Sequence, residues 1–421
     1  MMIVLGGAIV LATIYLLVKQ YESRMVLFAS GLLMALLAGA PMVALDSFAS
    51  RMTTGGLITA ICSVMGFAFV MKVTKCDQHL VNLVVGFLTK FRVILIPGAT
   101  IATFAINIAL PSAAGAAAAV GAIFIPILIA AGVSPAIAGA AVLAGTFGSM
   151  LSPGLSHNPF IAELAGVEVM DVIAVHSTAD VISVVIAAIS IAVVAKFLNE
   201  DKGYIAKSQA AATSEVNVET PKANLFYALV PILPIVILVL GSTILPALKM
   251  GVPQAMLIGA IIAIAVTRTN PQDVSKAFFD GMGSAYGQIM GIIIAAAVFV
   301  SGMEAIGIVE AFINMLVNTE SVVNIAATFG PFLLGVISGS GDAAAFAFNE
   351  AVTPHAQMFG LEIINMGSIA ALGGALGRTM SPIAGAAIVC ASIAGVSPME
   401  LAKRNAPGMI IAAIVTMFVL L

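Results

Sequence analysis

Long apolar runs recur along this 421-residue chain, separated by short polar or glycine-rich breaks. Several runs exceed about 18 residues, the length at which an apolar segment becomes a candidate transmembrane helix. They consist of Ala, Ile, Leu, Val and Gly and lack the alternation of a membrane-barrel strand, so the pattern predicts helices. The predicted spans are 3–18, 25–45, 57–73, 93–110, 136–151, 180–197, 225–245, 255–266, 289–300, 322–337, 363–376 and 408–421.

Other apolar segments are too short or too rich in Gly and Pro to be plain spans. They lie at 112–131, 153–167, 340–357 and 382–395. Irregular backbone at membrane depth survives only where it faces protein or water, so we expect half-spanning hairpins or interrupted helices there. Two shorter amphipathic segments, 77–88 and 309–317, are expected along the membrane interface.

One motif occurs twice, 229 residues apart, as GTFGSMLSP at 145–153 and GALGRTMSP at 374–382. The same offset sets PSAAGAAAA at 111–119 against SGDAAAFAF at 340–348. In a hydrophobic chain, a duplicated helix-breaking segment points to the binding site of a transporter. We expect a first repeat at 1–198 and a second at 225–421, joined by a polar linker at 199–224. The hairpin and broken helix of each repeat should occupy about 92–167 and about 322–395.

The distribution of basic residues predicts the orientation. Most Lys and Arg follow the first, third, sixth and eighth predicted spans: Lys19, Arg24, Lys72, Lys75, Lys90, Arg92, Lys196, Lys202, Lys207, Lys222, Arg268 and Lys276. Placing these loops in the cytoplasm leaves Arg51 and Lys249 outside. The N-terminus is then periplasmic, the linker is cytoplasmic, and the two repeats have inverted topology.

Composition supports this class and excludes others. The chain is 61% hydrophobic and 9% charged, with a mean hydropathy of +1.15, as expected of an all-α polytopic membrane protein. Its net charge of −3 without a basic run gives no indication of nucleic-acid binding. Three cysteines in or near apolar runs indicate neither a disulfide framework nor a metal site. The sequence has no P-loop, HExxH or GxSxG, so we expect no enzyme, no nucleotide-driven pump and no cofactor.

The segments around Ser112 and around Ser340-Gly341-Asp342 are candidate hairpin tips. Free backbone N–H groups and hydroxyls at such tips can bind an anion, and Asp342 requires a partner in the membrane. A sodium ion near Ser112, Ser340 and Asp342 is a second candidate. Simple helix packing through small residues is the alternative for both tips.

Ser152-Pro153 and Ser381-Pro382 interrupt helices, because Pro removes a backbone donor and clashes with the preceding turn. The freed carbonyls can hold a cation, and the next helix N-terminus can hold a carboxylate. A structural proline kink is the alternative reading of each copy.

Several polar residues in the same regions are candidates for substrate binding or ion coupling. Arg378 can bind a carboxylate bidentately, or pair internally with Asp342 or Glu350. His157 can take up a proton, or remain a neutral hydrogen-bonded group. The substrate-binding candidates are Ser112, Ser152, Ser156, Asn158, Ser340, Gly341, Arg378, Thr379 and Ser381. The coupling candidates are Asp342, Asn349, Glu350 and His157.

The sequence resembles the DcuC family of anaerobic four-carbon dicarboxylate carriers, within the ion transporter superfamily. The resemblance is carried by GSGDAAAFAFNEAVTPHA at 339–356, by LGRTMSPIAGAAIVCASIAGVSPMELAKRNAP at 376–407 and by residues 112–171. It implies succinate, fumarate or malate as substrates, moved across the bacterial inner membrane by uptake, efflux or exchange. It also implies a scaffold domain, a moving transport domain and a homodimer in membrane lipid.

The chain departs from the family pattern at two places. The family pattern has Asn at the position of Asp342, and Thr-Ser-Gly-Asp where this chain has Leu155-Ser156-His157-Asn158. The expected function is an elevator-type secondary carrier of small organic dianions, using proton or sodium coupling or exchange. A monocarboxylate carrier of the same superfamily, for lactate or gluconate, and an anion channel are the alternatives.

Overall fold

A computed structural model describes residues 2–88, 94–204, 223–317 and 320–421, and all regular structure within these ranges is helical. Most of the predicted linker, at 205–222, lies outside the described residues. The helices are α1 (Met2–Val18), α2 (Ser23–Leu37), α3 (Pro41–Arg51), α4 (Gly55–Thr74), α5 (Cys76–Leu88), α6 (Leu95–Ala109), α7 (Ala113–Ala130), α8 (Pro135–Ala144), α9 (His157–Ala165), α10 (Val169–Phe197), α11 (Leu225–Leu229), α12 (Leu233–Thr243), α13 (Val252–Thr267), α14 (Pro271–Ala285), α15 (Gly291–Ala305), α16 (Ile308–Val317), α17 (Glu320–Ser338), α18 (Gly341–Ala351), α19 (Ile363–Thr379), α20 (Gly385–Ala394) and α21 (Pro398–Leu420).

Six helical stretches of the described chain are long and apolar enough to cross a membrane. They are Gly55–Thr74, Ala113–Ala130, Val169–Phe197, Leu225–Thr243, Pro271–Ala305 and Pro398–Leu420. Shorter apolar helices accompany them, α1, α2, α6 and α13 among these. The prediction of an all-α polytopic membrane protein is therefore confirmed.

Four of the predicted segments differ from the helices of the structure. Segment 112–131 is one continuous helix, because Ser112 caps its start and buried neighbours hold the turn that contains Pro126. The single span predicted at 25–45 is two helices, because Gly39 takes a φ of 76° and Pro41 starts α3. The spans predicted at 180–197 and 408–421 begin earlier, at Val169 and Pro398.

The duplicated motif interrupts a helix in both copies, as predicted. In the first copy, α8 is followed by a 3₁₀ turn at Gly148–Leu151, then by irregular backbone up to α9. In the second, α19 ends at Thr379 and irregular backbone leads to α20. Gly166 and Gly395 end α9 and α20 with φ of 67° and 69°, a left-handed conformation that favours glycine.

The glycines of the motif let helices approach closely. A Cβ on Gly145 would lie 2.7 Å from the Thr103 side chain on α6, and one on Gly374 would lie 2.7 Å from the carbonyl oxygen of Gly341 on α18. Real Cβ atoms do not come so close to other heavy atoms. The duplicated glycines therefore bring α8 against α6 and α19 against α18, which fixes where each break lies.

The two halves of the chain contact each other extensively. Helix α10 packs along α21, α4 along α14, α2 along α15, and α7 along α20. The first residues of the predicted linker are also attached to the helices: Tyr204 N–H donates to the carbonyl of Gly132 (2.9 Å), and Ser134 N–H donates to that of Glu200 (2.9 Å).

Candidate functional site

The two predicted tips are helix N-termini, each capped by a serine. Ser112 Oγ accepts a hydrogen bond from Gly115 N–H (3.2 Å) at the start of α7. Ser340 Oγ accepts one from Ala343 N–H (3.4 Å) at the start of α18. Both hydroxyls thus satisfy a backbone donor of their own helix, and the other N–H groups of the first turn have no acceptor within the helix.

The break of the first copy meets the tip of the second. His157, the first residue of α9, places Nε2 3.1 Å from Asp342 Oδ1 in the first turn of α18. The imidazole stacks on the Phe346 ring with centroids 4.2 Å apart, and Phe160 meets the same ring edge-on at 5.2 Å. His157 is 3% exposed and Asp342 is 55% exposed, so the carboxylate forms the accessible end of this pair.

The break of the second copy also meets the tip of the first. We call the contact of His157 with Asp342 the polar crossing and this second contact, of Gly385 with Ala114, the apolar crossing. The residues offset by 229 from Asp342 and His157 are Ala113 and Ala386. Next to them, a Cβ built on Gly385 would lie 4.0 Å from the Cβ of Ala114, an ordinary van der Waals contact. Charged and polar groups are therefore concentrated at one of the two crossings.

Arg378, in the last turn of α19, extends towards the first copy of the motif. Its Nη2 donates to the carbonyl of Thr146 at 3.2 Å, and its buried Nε has no hydrogen-bond partner in the described structure. Asp342 interacts with it electrostatically, yet among the described residues no carboxylate oxygen lies within 4.0 Å of its guanidinium. Donor groups of Arg378 therefore remain for a bound anion.

The buried residues after Arg378 have local partners. Thr379 Oγ1 donates to the carbonyl of Ala375 (2.8 Å), and Ser381 Oγ accepts from Ile383 N–H (3.4 Å). In the first copy, Ser152 Oγ accepts from Gly154 N–H at 3.3 Å, and Ser156 is buried at the start of α9. The hydroxyls of Ser152 and Ser381 therefore bond the backbone two residues further along, at corresponding positions of the two breaks.

Asn158 belongs to a polar chain that the sequence reading missed. Its Nδ2 donates to the carbonyls of Met150 (2.8 Å) and Ser152 (2.9 Å), and its Oδ1 lies 3.1 Å from His176 Nε2. His176 Nδ1 lies 2.6 Å from Asp180 Oδ2. The i,i+4 spacing of His176 and Asp180 in an apolar run was the available sequence signal.

The coupling candidates divide into two groups. His157 and Asp342 are in contact, whereas Asn349 donates to the carbonyl of Gly367 (3.2 Å) and accepts from Thr353 (2.8 Å). Glu350 pairs with Arg51 of α3 instead of Arg378. Glu350 therefore takes part in a separate ionic contact. The alternative predicted from the sequence, a pair between Glu350 and Arg378, does not form among the described residues.

Two cavities lie near these elements. One of 340 Å³ is enclosed mainly by apolar side chains of α1, α15, α17 and α18 and borders Ser338 and Ser340 at the second tip. The other, of 770 Å³, lies beside α9 and is bordered by Glu163, Glu168 and Lys249. Within the described ranges, no three His, Cys, Asp or Glu side chains are placed to hold a metal ion.

Comparison with known proteins gives one family. Residues 3–421 match the DcuC family, described as C4-dicarboxylate anaerobic carrier. An uncharacterized transporter of Haemophilus influenzae is 48% identical over 276 residues, which cover 63% of this chain and 98% of that protein. A second H. influenzae transporter is 61% identical over 130 residues, which cover 31% of this chain and 90% of that protein. The anaerobic C4-dicarboxylate transporter DcuC of Escherichia coli (strain K12) is 24% identical over 446 residues, which cover 98% of this chain and 95% of that protein.

These matches confirm the resemblance that the motifs indicated. The family and the named relatives are transporters and not enzymes, in agreement with the sequence reading. Together with the apolar helices, they make the chain an integral membrane transport protein.

Proposed function

Because the chain belongs to the DcuC family of C4-dicarboxylate anaerobic carriers, we propose that it is a secondary transporter of small organic dianions. Four-carbon dicarboxylates such as succinate, fumarate and malate are its expected substrates. The observation that carries the proposal is the state of Arg378: a half-buried guanidinium that has no carboxylate partner among the described residues, at a helix break where the two halves meet.

The guanidinium binds one carboxylate of the substrate. The second carboxylate takes backbone N–H groups at a helix N-terminus. The first turn of α18 after Ser340 is the candidate beside Arg378, since a Cβ on Gly341 would lie 3.2 Å from the Cβ of Arg378. Asp342 lies in that turn and interacts electrostatically with Arg378, and His157 contacts Asp342. This pair balances the charge of the loaded site, and its two members are the candidates for coupling to a proton or to sodium. Ser112, Ser152, Ser156, Thr379 and Ser381 shape the breaks and tips around it.

The halves are proposed to be inverted repeats. The start of α2 plus 229 falls on the start of α13, and the start of α10 plus 229 falls on the start of α21. The starts of α8 and α9 plus 229 fall within one residue of those of α19 and α20. Arg51 and Lys249, both expected outside, pair with Glu163 (2.8 Å) and Glu168 (3.1 Å), which supports a common face for these groups.

The proposed mechanism is alternating access. The helices up to α5 and from α11 to α16 form the scaffold, and α6–α10 with α17–α21 move as the transport domain in an elevator-type step. Extensive contacts within each of these groups support the division. The expected setting is the bacterial inner membrane, with a periplasmic N-terminus, a cytoplasmic linker and a homodimer.

The proposal is tested by counterflow of labelled succinate in proteoliposomes, comparing Arg378→Ala with the parent. Truncating one partner of a buried, hydrogen-bonded charge pair costs about 2–5 kcal/mol, so we expect a loss of succinate affinity of roughly 30-fold or more. Lys403→Ala is the matched control, since Lys403 is a basic residue with a 63% exposed side chain. Parent-like counterflow by Arg378→Ala would remove Arg378 from the site.

In the part of the chain that the structure describes, the proposed site has one guanidinium without a carboxylate partner, and this also favours a second candidate. A single Arg suffices for a single carboxylate, so a monocarboxylate carrier fits the same site. Competition of succinate counterflow by succinate, lactate, citrate and gluconate separates the two. Displacement by lactate and gluconate at concentrations at which unlabelled succinate has little effect would favour the monocarboxylate carrier.

A further inference from the structure

A polar chain buried in the first half ends on the helix break. Asp180, His176 and Asn158 are fully buried, and hydrogen bonds join them in that order. Asn158 then donates to the carbonyls of Met150 and Ser152, on the two sides of Leu151. The chain thus connects a carboxyl group inside α10 to the backbone that precedes His157.

The hydrogen bonds of Asn158 fix the tautomer of His176. Carbonyl oxygens only accept, so both contacts to the break require the Asn158 amide nitrogen. The amide oxygen therefore faces His176, and Nε2 of His176 carries a hydrogen. The other ring nitrogen, Nδ1, faces Asp180.

One proton lies between His176 Nδ1 and Asp180 Oδ2, which are 2.6 Å apart. It belongs either to an imidazolium beside a carboxylate or to a carboxylic acid beside a neutral imidazole, and the pair is neutral in both forms. The other oxygen of Asp180 is buried without a hydrogen-bond partner in the described structure. Loss of the proton would leave an uncompensated charge in the protein interior, which is costly.

Loss of that proton acts on the break. A neutral His176 can donate to the Asp180 carboxylate only through Nδ1, which leaves the Nε2 lone pair facing the Asn158 oxygen. Two acceptors then face each other, and this repulsion is removed only if the Asn158 amide rotates so that its nitrogen faces His176. The amide nitrogen then no longer donates to the two carbonyls of the break. The protonation state of the pair and the shape of the break are therefore linked.

We infer that the Asp180–His176 pair is a proton-binding site that positions the first helix break, and that it exchanges its proton with water during the transport cycle. With the proton bound, Asn158 holds the break as observed. With the proton released to water, Asn158 is free and the break beside His157 rearranges. The inference rests on the proposed transport function and adds a proton site distinct from Asp342.

The surroundings leave His176 as the group that acts on Asp180. Helices α6, α8 and α12, which pack on α10, carry no titratable side chain. The titratable and charged groups on the other packed helices, α9, α19 and α21, are His157, Glu163, Arg378, Glu400, Lys403 and Arg404. Of all these groups, only His176 of its own helix interacts electrostatically with Asp180.

The test separates proton movement from substrate movement. Asp180→Asn can donate from its amide to His176 Nδ1, so it keeps the tautomer and the Asn158 contacts but holds no exchangeable proton. In proteoliposomes with trapped pyranine, we expect Asp180→Asn to retain labelled-succinate counterflow at equal pH and to lose succinate-driven proton movement. Asp180→Glu should restore proton movement.

The same liposomes give the contrary results. The inference is overturned if Asp180→Asn moves protons as the parent does. It is also overturned if Asp342→Asn loses proton movement while Asp180→Asn keeps it. Should Asp180→Asn fail to fold, the double variant His176→Gln/Asp180→Asn replaces it, since the two amides can hydrogen-bond to each other and to Asn158 and neither can carry the proton. Counterflow by a parent that moves no proton also overturns the inference, whereas absence of succinate counterflow in the parent refutes the proposed function instead.

Discussion

Arg51 joins the two helices that carry the polar crossing. From α3, its guanidinium bonds Glu163 on α9 at 2.8 Å and pairs with Glu350 on α18. It also lies 5.5 Å from the centroid of the Phe160 ring. We therefore predict that replacing Arg51 with Met destabilises the contact between α9 and α18.

The magnitude follows from burial. The side chains of Arg51, Glu350 and Glu163 are 16%, 14% and 31% exposed. Breaking a buried pair by removing one partner costs about 3–5 kcal/mol, whereas an exposed pair contributes about 0–1 kcal/mol. The contacts of Arg51 with Glu163 and Glu350 lie between these limits, so we expect Arg51→Met to lower the free energy of unfolding by about 2–3 kcal/mol.

The three cysteines, Cys62, Cys76 and Cys390, are free and buried, so a thiol-reactive dye reports unfolding of the detergent-solubilised protein. Arg51→Met should lower the apparent Tm, and the double variant Arg51→Met/Glu350→Gln should recover part of the loss because one unpaired carboxylate is gone. Lys403→Met, which removes an exposed pair, is the control. The reasoning is refuted if Arg51→Met melts with that control, or if the double variant melts below the single one.

Two further predictions concern the frame and the polar crossing. Gly374→Ala places a Cβ 2.7 Å from the Gly341 carbonyl oxygen, and overpacking of this kind costs about 1–3 kcal/mol. In the same dye assay Gly283→Ala, with no heavy atom within 4 Å of its Cβ, should match the parent; equal melting of both variants would show that α18 and α19 have room. Asp342→Asn should change the pH and sodium dependence of succinate uptake more than the KM for succinate. Unchanged dependence on both would remove Asp342 from coupling.

Much of the helical frame could be predicted, because its signals are local. Apolar runs gave the membrane class, and Ser-Pro with flanking glycines gave both interruptions. Pro126 led to the prediction of a broken segment where α7 is continuous. The one backbone hydrogen bond lost at Pro126 is offset by the packing of buried residues around that turn. His176 and Asp180 made the first half of α10 look polar, although their mutual hydrogen bond lets both lie inside the helix.

The candidate site was predictable in part. The duplicated motif, its flanking residues and the second tip indicated Arg378, His157 and Asp342, but their relation depends on contacts between segments far apart in sequence. The contact of His157 with Asp342 spans 185 residues, and that of Arg51 with Glu350 spans 299. No local pattern specifies which cation meets which carboxylate, so the assignment of Glu350 to Arg51 needed the fold.

The apolar crossing at Gly385 and Ala114 has a consequence for how such carriers diversify. The residues that meet there have small apolar side chains, with a Cβ on Gly385 4.0 Å from the Cβ of Ala114. Ala113 and Ala386 occupy the positions that correspond to Asp342 and His157. A lineage can therefore move an acidic group from one half to the other by point substitution, while the glycines that set the helix spacing stay as they are. In the proposed inverted-repeat arrangement the two crossings are equivalent positions, and this chain carries its charged pair at one of them.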